Sequence, residues 1–169
     1  KRNLKVPNDQ RLHVIWTYLK NKGATQESID EVCNITDFHA FFIERIAKLV
    51  RLEIKVEKCK NTLPDKLLTE LKRNGFGDKH ISHLTQINQR EIREQRKKLG
   101  IISSFLMVDT CAGEFEAKTP YFYSTYADNK EPIKTGKSIV ILGSGPIRIG
   151  QGIEFDYSSV HGVQAARDA

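Results

Sequence analysis

Apolar residues follow a helical pattern from Asn8 to about Gly100, and this pattern limits the possible folds of the chain. Apolar residues recur there every three or four positions, and each group is bounded by residues that start or stop helices. Thr25 can cap one helix, Pro64 fits the first turn of another, and Gly75 and Gly100 fit helix ends. These local signals agree with one another, so the sequence predicts a compact helical domain.

The longest predicted helix begins at Thr36 or Asp37 and continues to about Ile54. Its apolar residues cover more than one stripe of the helix surface, which indicates a central, buried helix. We expect its aromatic residues to pack in this core, and they are Phe38, Phe41 and Phe42. Shorter helices surround it, and their predicted caps are Asn8 or Asp9, Thr25, Asp78 and Asn88.

Beyond Gly100 the helical pattern ends. The apolar run from Phe105 to Val108 predicts a short extended segment, and the aromatic cluster from Tyr121 to Tyr126 is typical of a covered core or a seam between domains. Residues 127–136 are polar and contain proline and glycine, so they predict a linker. We therefore place the helical domain and its irregular exit segment at residues 1–126.

A different pattern begins at residue 137. Ile139 to Leu142 form a β-branched, apolar run that predicts a buried strand. Four glycines follow, which allow positive φ and the close approach of another backbone or a ligand. They are Gly143, Gly145, Gly150 and Gly152. The sequence ends soon after the next helix begins, so we expect residues 137–169 to open an α/β domain whose remainder is missing.

The glycine-rich turn is open to two interpretations. Its N–H groups could hold a phosphate at a helix start, as in dinucleotide-binding Rossmann domains. Its spacing departs from GxGxxG, because position 148 is Arg and the next glycine is Gly150, and a tight packing turn explains the same residues. The charges of Arg148, Glu154 and Asp156 are equally consistent with ligand contacts and with a solvated rim.

The net charge of +6 permits an anionic partner without requiring one. A run of basic residues lies on a predicted helix and comprises Arg90, Arg93, Arg96, Lys97 and Lys98. The two short helices there have helix-turn-helix proportions, so a basic helical nucleic-acid-binding module is an alternative function. Glu91 and Glu94 interleave with the basic residues, which is also typical of an ordinary exposed helix.

Cysteine and histidine usage indicates neither a metal site nor a disulfide framework. Cys33, Cys59 and Cys111 are far apart with no CxxC pair, and His80 and His83 are the only helical histidine pair. No apolar run approaches the roughly 18 residues of a membrane span, and no secretory signal is visible. We therefore expect a cytoplasmic protein without a metal site.

Four motifs occur in an order that is typical of one family. Upstream are TDFHAFFIERIAKLVRLE, LKRNGFGDKHIS and VDTCAGEFEAKTPYFYSTY, and GSGPIRIGQGIEFDYSS follows from Gly143 to Ser159. The first three resemble the helical oligomerisation domain of the carbamoyl-phosphate synthase large chain and its exit. The last resembles the pre-ATP-grasp, Rossmann-like opening of the second synthetase half. Arg148 and Gly152 favour that half, because the first half typically has Val and Ala there.

The resemblance implies a function for the complete protein. The family makes carbamoyl phosphate from bicarbonate, two ATP and ammonia, which a glutaminase small subunit releases from glutamine, for pyrimidine or arginine synthesis. The implied cofactors are ATP with Mg²⁺ or Mn²⁺, with K⁺ as a further ion, held by ATP-grasp domains outside this sequence. We therefore expect no catalytic residue, no cofactor and no activity in these 169 residues alone.

The resemblance also assigns roles to individual residues. Positions matching Arg148, Gly152 and Glu154 lie along the second-half end of a tunnel for carbamate, a short-lived intermediate that must be kept from water. The helical domain is expected to separate the two synthetase halves and to contact other large-chain domains and copies. Nucleic acid and membrane are not expected partners.

Overall fold

The computed structural model describes residues 2–109, 111–116, 122–126, 139–142 and 157–169. The chain divides into two compact units, residues 1–131 and 132–169. The helices of the first unit are α1 (Arg2–Lys5), α2 (Arg11–Asn21), α3 (Gln26–Thr36), α4 (Ala40–Glu57), α5 (Asp65–Arg73), α6 (Asp78–Thr85) and α7 (Gln89–Lys98). Its strands are β1 (Ser104–Met107) and β2 (Phe122–Thr125).

Helix α4 is central because it contributes to two hydrophobic clusters. Its first half places Ile43, Ala47 and Val50 in a cluster with α1, α2 and α3. Its second half places Leu52 and Val56 in a cluster with α5, α6 and α7. Removal of this apolar surface from water is the main force that holds the helices together. The prediction of a long central helix is confirmed.

Several predicted helix ends are also confirmed. The Thr25 hydroxyl accepts a hydrogen bond from the Ser28 N–H at 3.3 Å, and Asn88 Oδ1 accepts one from the Arg90 N–H at 2.8 Å. These side chains satisfy N–H groups that have no partner within the first turn of a helix. Gly75 ends its helix with φ of +86°, a conformation that glycine adopts without steric cost.

The predicted start of α4 at Thr36 or Asp37 is wrong. Thr36 is the last residue of α3, and its hydroxyl donates back to the Val32 carbonyl at 2.7 Å. Asp37 then adopts a left-handed conformation with φ of +57°. The cap of α4 is His39, whose Nδ1 accepts from the Phe41 N–H at 3.2 Å. A left-handed residue cannot continue a helix, so the chain turns before α4 begins.

Two other predicted caps are wrong in detail. The residue before α2 is Gln10, which makes no side-chain capping bond, although Asn8 Oδ1 accepts from the Gln10 N–H at 2.9 Å. The residue before α6 is Gly77, so Asp78 is the first helical residue and not the cap. The Asp78 carboxylate instead accepts hydrogen bonds from the side chains of Lys72 and Arg96.

The two strands confirm the extended segment that was predicted after Gly100. Strand β1 pairs with β2 in antiparallel register, with Ser104 opposite Thr125 and Met107 opposite Phe122. Strand β2 comes from the aromatic cluster. Residues 127–138, which include the predicted linker, lie outside the described residues.

In the second unit, helix α8 spans Tyr157–Asp168 and confirms the helix that was predicted after the glycine-rich turn. The prediction of a buried strand at Ile139 to Leu142 is wrong, because these residues have no regular secondary structure and Ile139, Val140 and Leu142 are exposed. A strand requires a hydrogen-bonded neighbour, and the described residues of this unit contain no such neighbour. Ile141 packs on α8, where a Cβ added at Gly162 would lie 3.0 Å from its Cδ1. The mostly helical fold class is confirmed.

Candidate interaction surface

The glycine-rich turn and the predicted tunnel residues lie outside the described residues, so their roles stay predictions. These residues are Gly143, Gly145, Arg148, Gly150, Gly152 and Glu154. Two other features of the first unit are well defined. One is an exposed aromatic surface at the start of α4, and the other is a buried cluster of charged side chains that joins α5, α6 and α7.

Three phenylalanines form the exposed surface, which we call the aromatic face. Phe38, Phe41 and Phe42 are 37%, 49% and 60% exposed. The rings of Phe41 and Phe42 meet edge to face, with centroids 5.4 Å apart and planes at 84°. The prediction that these residues pack in the core is wrong, because α4 fills its side of the core with other residues, such as Ile43 and Ala47.

Two guanidinium groups lie over the aromatic face. Arg45 Cζ is 4.9 Å from the Phe41 ring centroid, and Arg11 Cζ is 5.0 Å from that of Phe38. Arg11 is held in place because it also donates to two backbone carbonyls, one in α1 at 3.0 Å and one at the end of α3 at 3.1 Å. Such cation–π contacts contribute about 0.5–1 kcal/mol at exposed sites. They orient the rings without covering them.

The buried charged cluster is centred on Asp78. Lys72, which is 4% exposed, donates from Nζ to Asp78 Oδ1 at 2.6 Å and to the Phe76 carbonyl at 2.8 Å. Arg96 Nε donates to Asp78 Oδ2 at 2.8 Å. Burial by itself raises the pKa of Asp78, but the hydrogen bonds from Lys72 and Arg96 outweigh it, and the pKa lies below its usual value. Both carboxylate oxygens are therefore engaged by cations.

Tyr126 adds the exit segment to this cluster. Its ring centroid lies 4.7 Å from Lys72 Nζ and 5.9 Å from Arg96 Cζ, directly after strand β2. The cluster thus ties the end of the strand pair to the helices. It also engages Arg96, one member of the basic run on α7, whose other members remain exposed.

Other kinds of site have less support in the described ranges. These ranges contain no group of three or more His, Cys, Asp or Glu side chains that could hold a metal ion. Among the helices in this part of the chain, none is long and apolar enough to cross a membrane. An open groove of about 600 Å³ lies beside α1 and α2, and its lining includes Asn3, His13 and Tyr18. The aromatic face is therefore the strongest candidate surface.

Comparison with known proteins identifies the family. Residues 1–100 match the family model described as the carbamoyl-phosphate synthetase large chain, oligomerisation domain. Residues 135–169 match the carbamoyl phosphate synthase preATP-grasp domain. The chain belongs to the carbamoyl-phosphate synthase large-chain family. The aromatic face lies within the part that matches the oligomerisation domain.

Individual relatives support membership of the carbamoyl-phosphate synthase family along nearly the whole chain. The large chain of Methanosarcina barkeri is 47% identical over 167 residues, and that of Methanosarcina mazei is 48% identical over 168 residues. The large chain of Methanothrix thermoacetophila is 44% identical over 166 residues. Each match covers 98% of this chain but only 15% of the relative, so the relatives are much longer than these 169 residues.

Proposed function

We propose that this chain is a non-catalytic part of a carbamoyl-phosphate synthase large chain, whose helical unit holds copies and domains of that large chain together. The observation that carries this proposal is the match of residues 1–100 to the oligomerisation domain of the family. The aromatic face in the same residues supports it, because exposed apolar surface of this kind is typical of protein interfaces.

The complete large chain would make carbamoyl phosphate from bicarbonate, two ATP and ammonia, which a glutaminase small subunit would release from glutamine. ATP with Mg²⁺ or Mn²⁺, and K⁺, would bind in domains outside these residues. The product would serve pyrimidine or arginine synthesis. Support comes from the identity of 44–48% to named large chains, which extends over nearly all of this sequence.

In this proposal, Arg148, Gly152 and Glu154 line the passage through which carbamate reaches the second synthetase half. Glycine leaves the passage open because it has no side chain, and Arg148 can attract a passing anion. In a complete large chain with this sequence, Gly152→Leu should strongly reduce carbamoyl phosphate formation while bicarbonate-dependent ATP hydrolysis by the first half continues. Unchanged carbamoyl phosphate formation would contradict the role of Gly152.

The role of the 169-residue chain itself can be tested by calorimetry and sedimentation. We expect no heat of binding on titration with MgATP, and reversible, concentration-dependent self-association in sedimentation velocity. Micromolar ATP binding would contradict a non-catalytic role, and a monomer at every concentration would contradict the oligomerising role. A DNA mobility shift that weakens steeply with salt would favour the nucleic-acid-binding alternative.

A further inference from the structure

We propose that the aromatic face is the contact through which two copies of this chain associate. The inference rests on the proposed function, because it names the surface that the oligomerising helical unit uses. The face consists of Phe38, which lies two residues before α4, and of Phe41 and Phe42 in the first turn of α4. All three lie inside the residues that match the oligomerisation domain.

The first reason is that the buried side of α4 consists of other residues. The side of α4 that packs inward contributes Ile43, Ala47 and Val50, each of which is 0% exposed. His39 already caps the helix, so Phe41 and Phe42 are not needed for its start. Two adjacent phenylalanines nevertheless remain 49% and 60% exposed. Water contact at such rings is unfavourable, and a partner that covers them would remove this cost.

The second reason is the charge around the rings, which carries both signs. Arg11 and Arg45 lie over the rings, and the acidic residues Asp37 and Glu44 adjoin Phe38 and Arg45 in the chain. A two-fold axis brings a surface onto an identical surface, so a patch with both signs can place each arginine opposite a carboxylate. A nucleic acid would instead favour a purely basic patch. A second copy of the chain is the partner that this pattern fits.

The composition of the face also agrees with the centre of an interface. Aromatic residues and arginine are enriched in the residues that contribute most to binding, and they lie where water is excluded. The edge-to-face pair of Phe41 and Phe42 presents one ring edge and one ring face, which can contact the same pair in a second copy.

The first test compares association of the wild-type chain with that of the double variant Phe41→Gln/Phe42→Gln, by sedimentation velocity over a concentration series. We expect the dissociation constant of the dimer to rise by about tenfold or more, because the centre of the contact is lost. The matched control is Ile102→Gln/Phe115→Gln, which removes two other exposed apolar side chains, 64% and 75% exposed, from the same unit. The control should associate like the wild type.

The second test uses charge and leaves the rings in place. Glu44→Arg makes the patch more basic, and Arg45→Glu makes it more acidic. Each variant alone should dimerise more weakly than the wild type, whereas an equimolar mixture of the two should form a heterodimer. Mass photometry or native mass spectrometry separates the species if one variant carries a mass tag. Circular dichroism checks that both variants retain the helices.

The outcomes distinguish this inference from the proposed function. A monomeric wild type would overturn the proposed function itself. A wild type that associates, together with a Phe41→Gln/Phe42→Gln variant that associates equally well, would overturn only the assignment of the aromatic face. Heterodimer formation no greater than random mixing would overturn the pairing of opposite charges between two copies.

Discussion

The aromatic face and the buried charged cluster reverse the usual positions of their residue types. Aromatic side chains normally lie inside a protein and charged ones outside, yet Phe42 is 60% exposed and Lys72 is 4% exposed. The cluster is complete within the chain, because the described residues contain no buried side-chain nitrogen or oxygen without a hydrogen-bond partner. The face is incomplete, since its rings stay in water. We therefore assign the buried charged cluster to folding, because its polar groups are paired within the chain. We assign the aromatic face to association, because its rings are exposed.

This difference can be tested by asking which substitutions change stability and which change association. Unfolding in urea can be followed by the fluorescence of Trp16, the only tryptophan of the sequence, which packs against the first hydrophobic cluster. The signal therefore reports on the first unit. Free energies of unfolding are compared between variants for which this free energy falls with urea concentration at the same slope.

The largest expected effect is that of Asp78→Ala. It would leave the ammonium of Lys72 and the guanidinium of Arg96 without their shared carboxylate, and an unpaired buried charge is costly. We expect the free energy of unfolding to fall by about 3–5 kcal/mol. The measurement is the urea midpoint reported by Trp16.

The matched control for that variant is Asp65→Ala. Asp65 is the first residue of α5, as Asp78 is of α6, so both variants lose a carboxylate near a helix N-terminus. Within the part of the chain that the structure describes, the Asp65 carboxylate accepts one side-chain hydrogen bond, an exposed one from Gln95 Nε2 at 2.8 Å. The free energy of unfolding should fall by about 1 kcal/mol or less in this control. Equal losses in the two variants would show that the helix terminus, and not the cluster, causes the effect.

The cluster should also make stability depend on acid pH. The pKa of Asp78 in the folded chain lies below its usual value, so its contribution is fully present above the unfolded pKa, about 3.9, and is lost as pH falls through the folded pKa. The difference in unfolding free energy between the wild type and Asp78→Asn should therefore be constant from neutral pH to about 5 and shrink below about 4. A difference that instead shrinks between pH 7 and 5 would exclude Asp78 as its source.

Whether the sequence predicts a side-chain contact depends on how far apart the two residues are in the chain. The caps Thr25 and Asn88 bind N–H groups three and two residues away, so a local pattern was sufficient to predict them. The partners of Asp78 are six and eighteen residues away, at Lys72 and Arg96, and no local pattern connects them. The sequence therefore suggested a cap at Asp78 where the fold forms an ion-pair cluster.

The aromatic face was missed for a related reason. Ile43, Ala47 and Val50 follow the spacing i, i+4, i+7 and form a complete buried stripe. Phe41 and Phe42 lie outside that stripe, and this offset was visible in the sequence. Apolar character alone suggested burial, but whether a helix side is covered depends on the packing of α1, α2 and α3. Only the structure provides that information.

An intermediate effect is expected at the ion pairs of Lys20. Its Nζ donates to Glu53 Oε1 at 2.5 Å and to Glu57 Oε1 at 2.7 Å, and these hydrogen bonds to the two carboxylates raise the pKa of Lys20. Glu53→Gln should cost only about 1 kcal/mol, because Lys20 keeps Glu57 and part of its contact with water. The control Glu57→Gln removes a more exposed carboxylate and should cost less. If Glu53→Gln lowered the free energy of unfolding as much as Asp78→Ala, partial exposure of an ion pair would not reduce the cost of breaking it.

The smallest expected effect on stability is that of Phe41→Gln/Phe42→Gln, the variant that should weaken association most. Each ring is at least 49% exposed, and glutamine has a good helix propensity, so little packing is lost and the helix is retained. At a concentration where the chain is monomeric, the free energy of unfolding in urea should change by no more than about 0.5 kcal/mol per residue. At high concentration the wild type should become more stable than the variant, because association stabilises only the folded chain. A large loss of stability in the monomer would instead mean that the phenylalanines belong to the folding core, and the contrast between the two regions would fail.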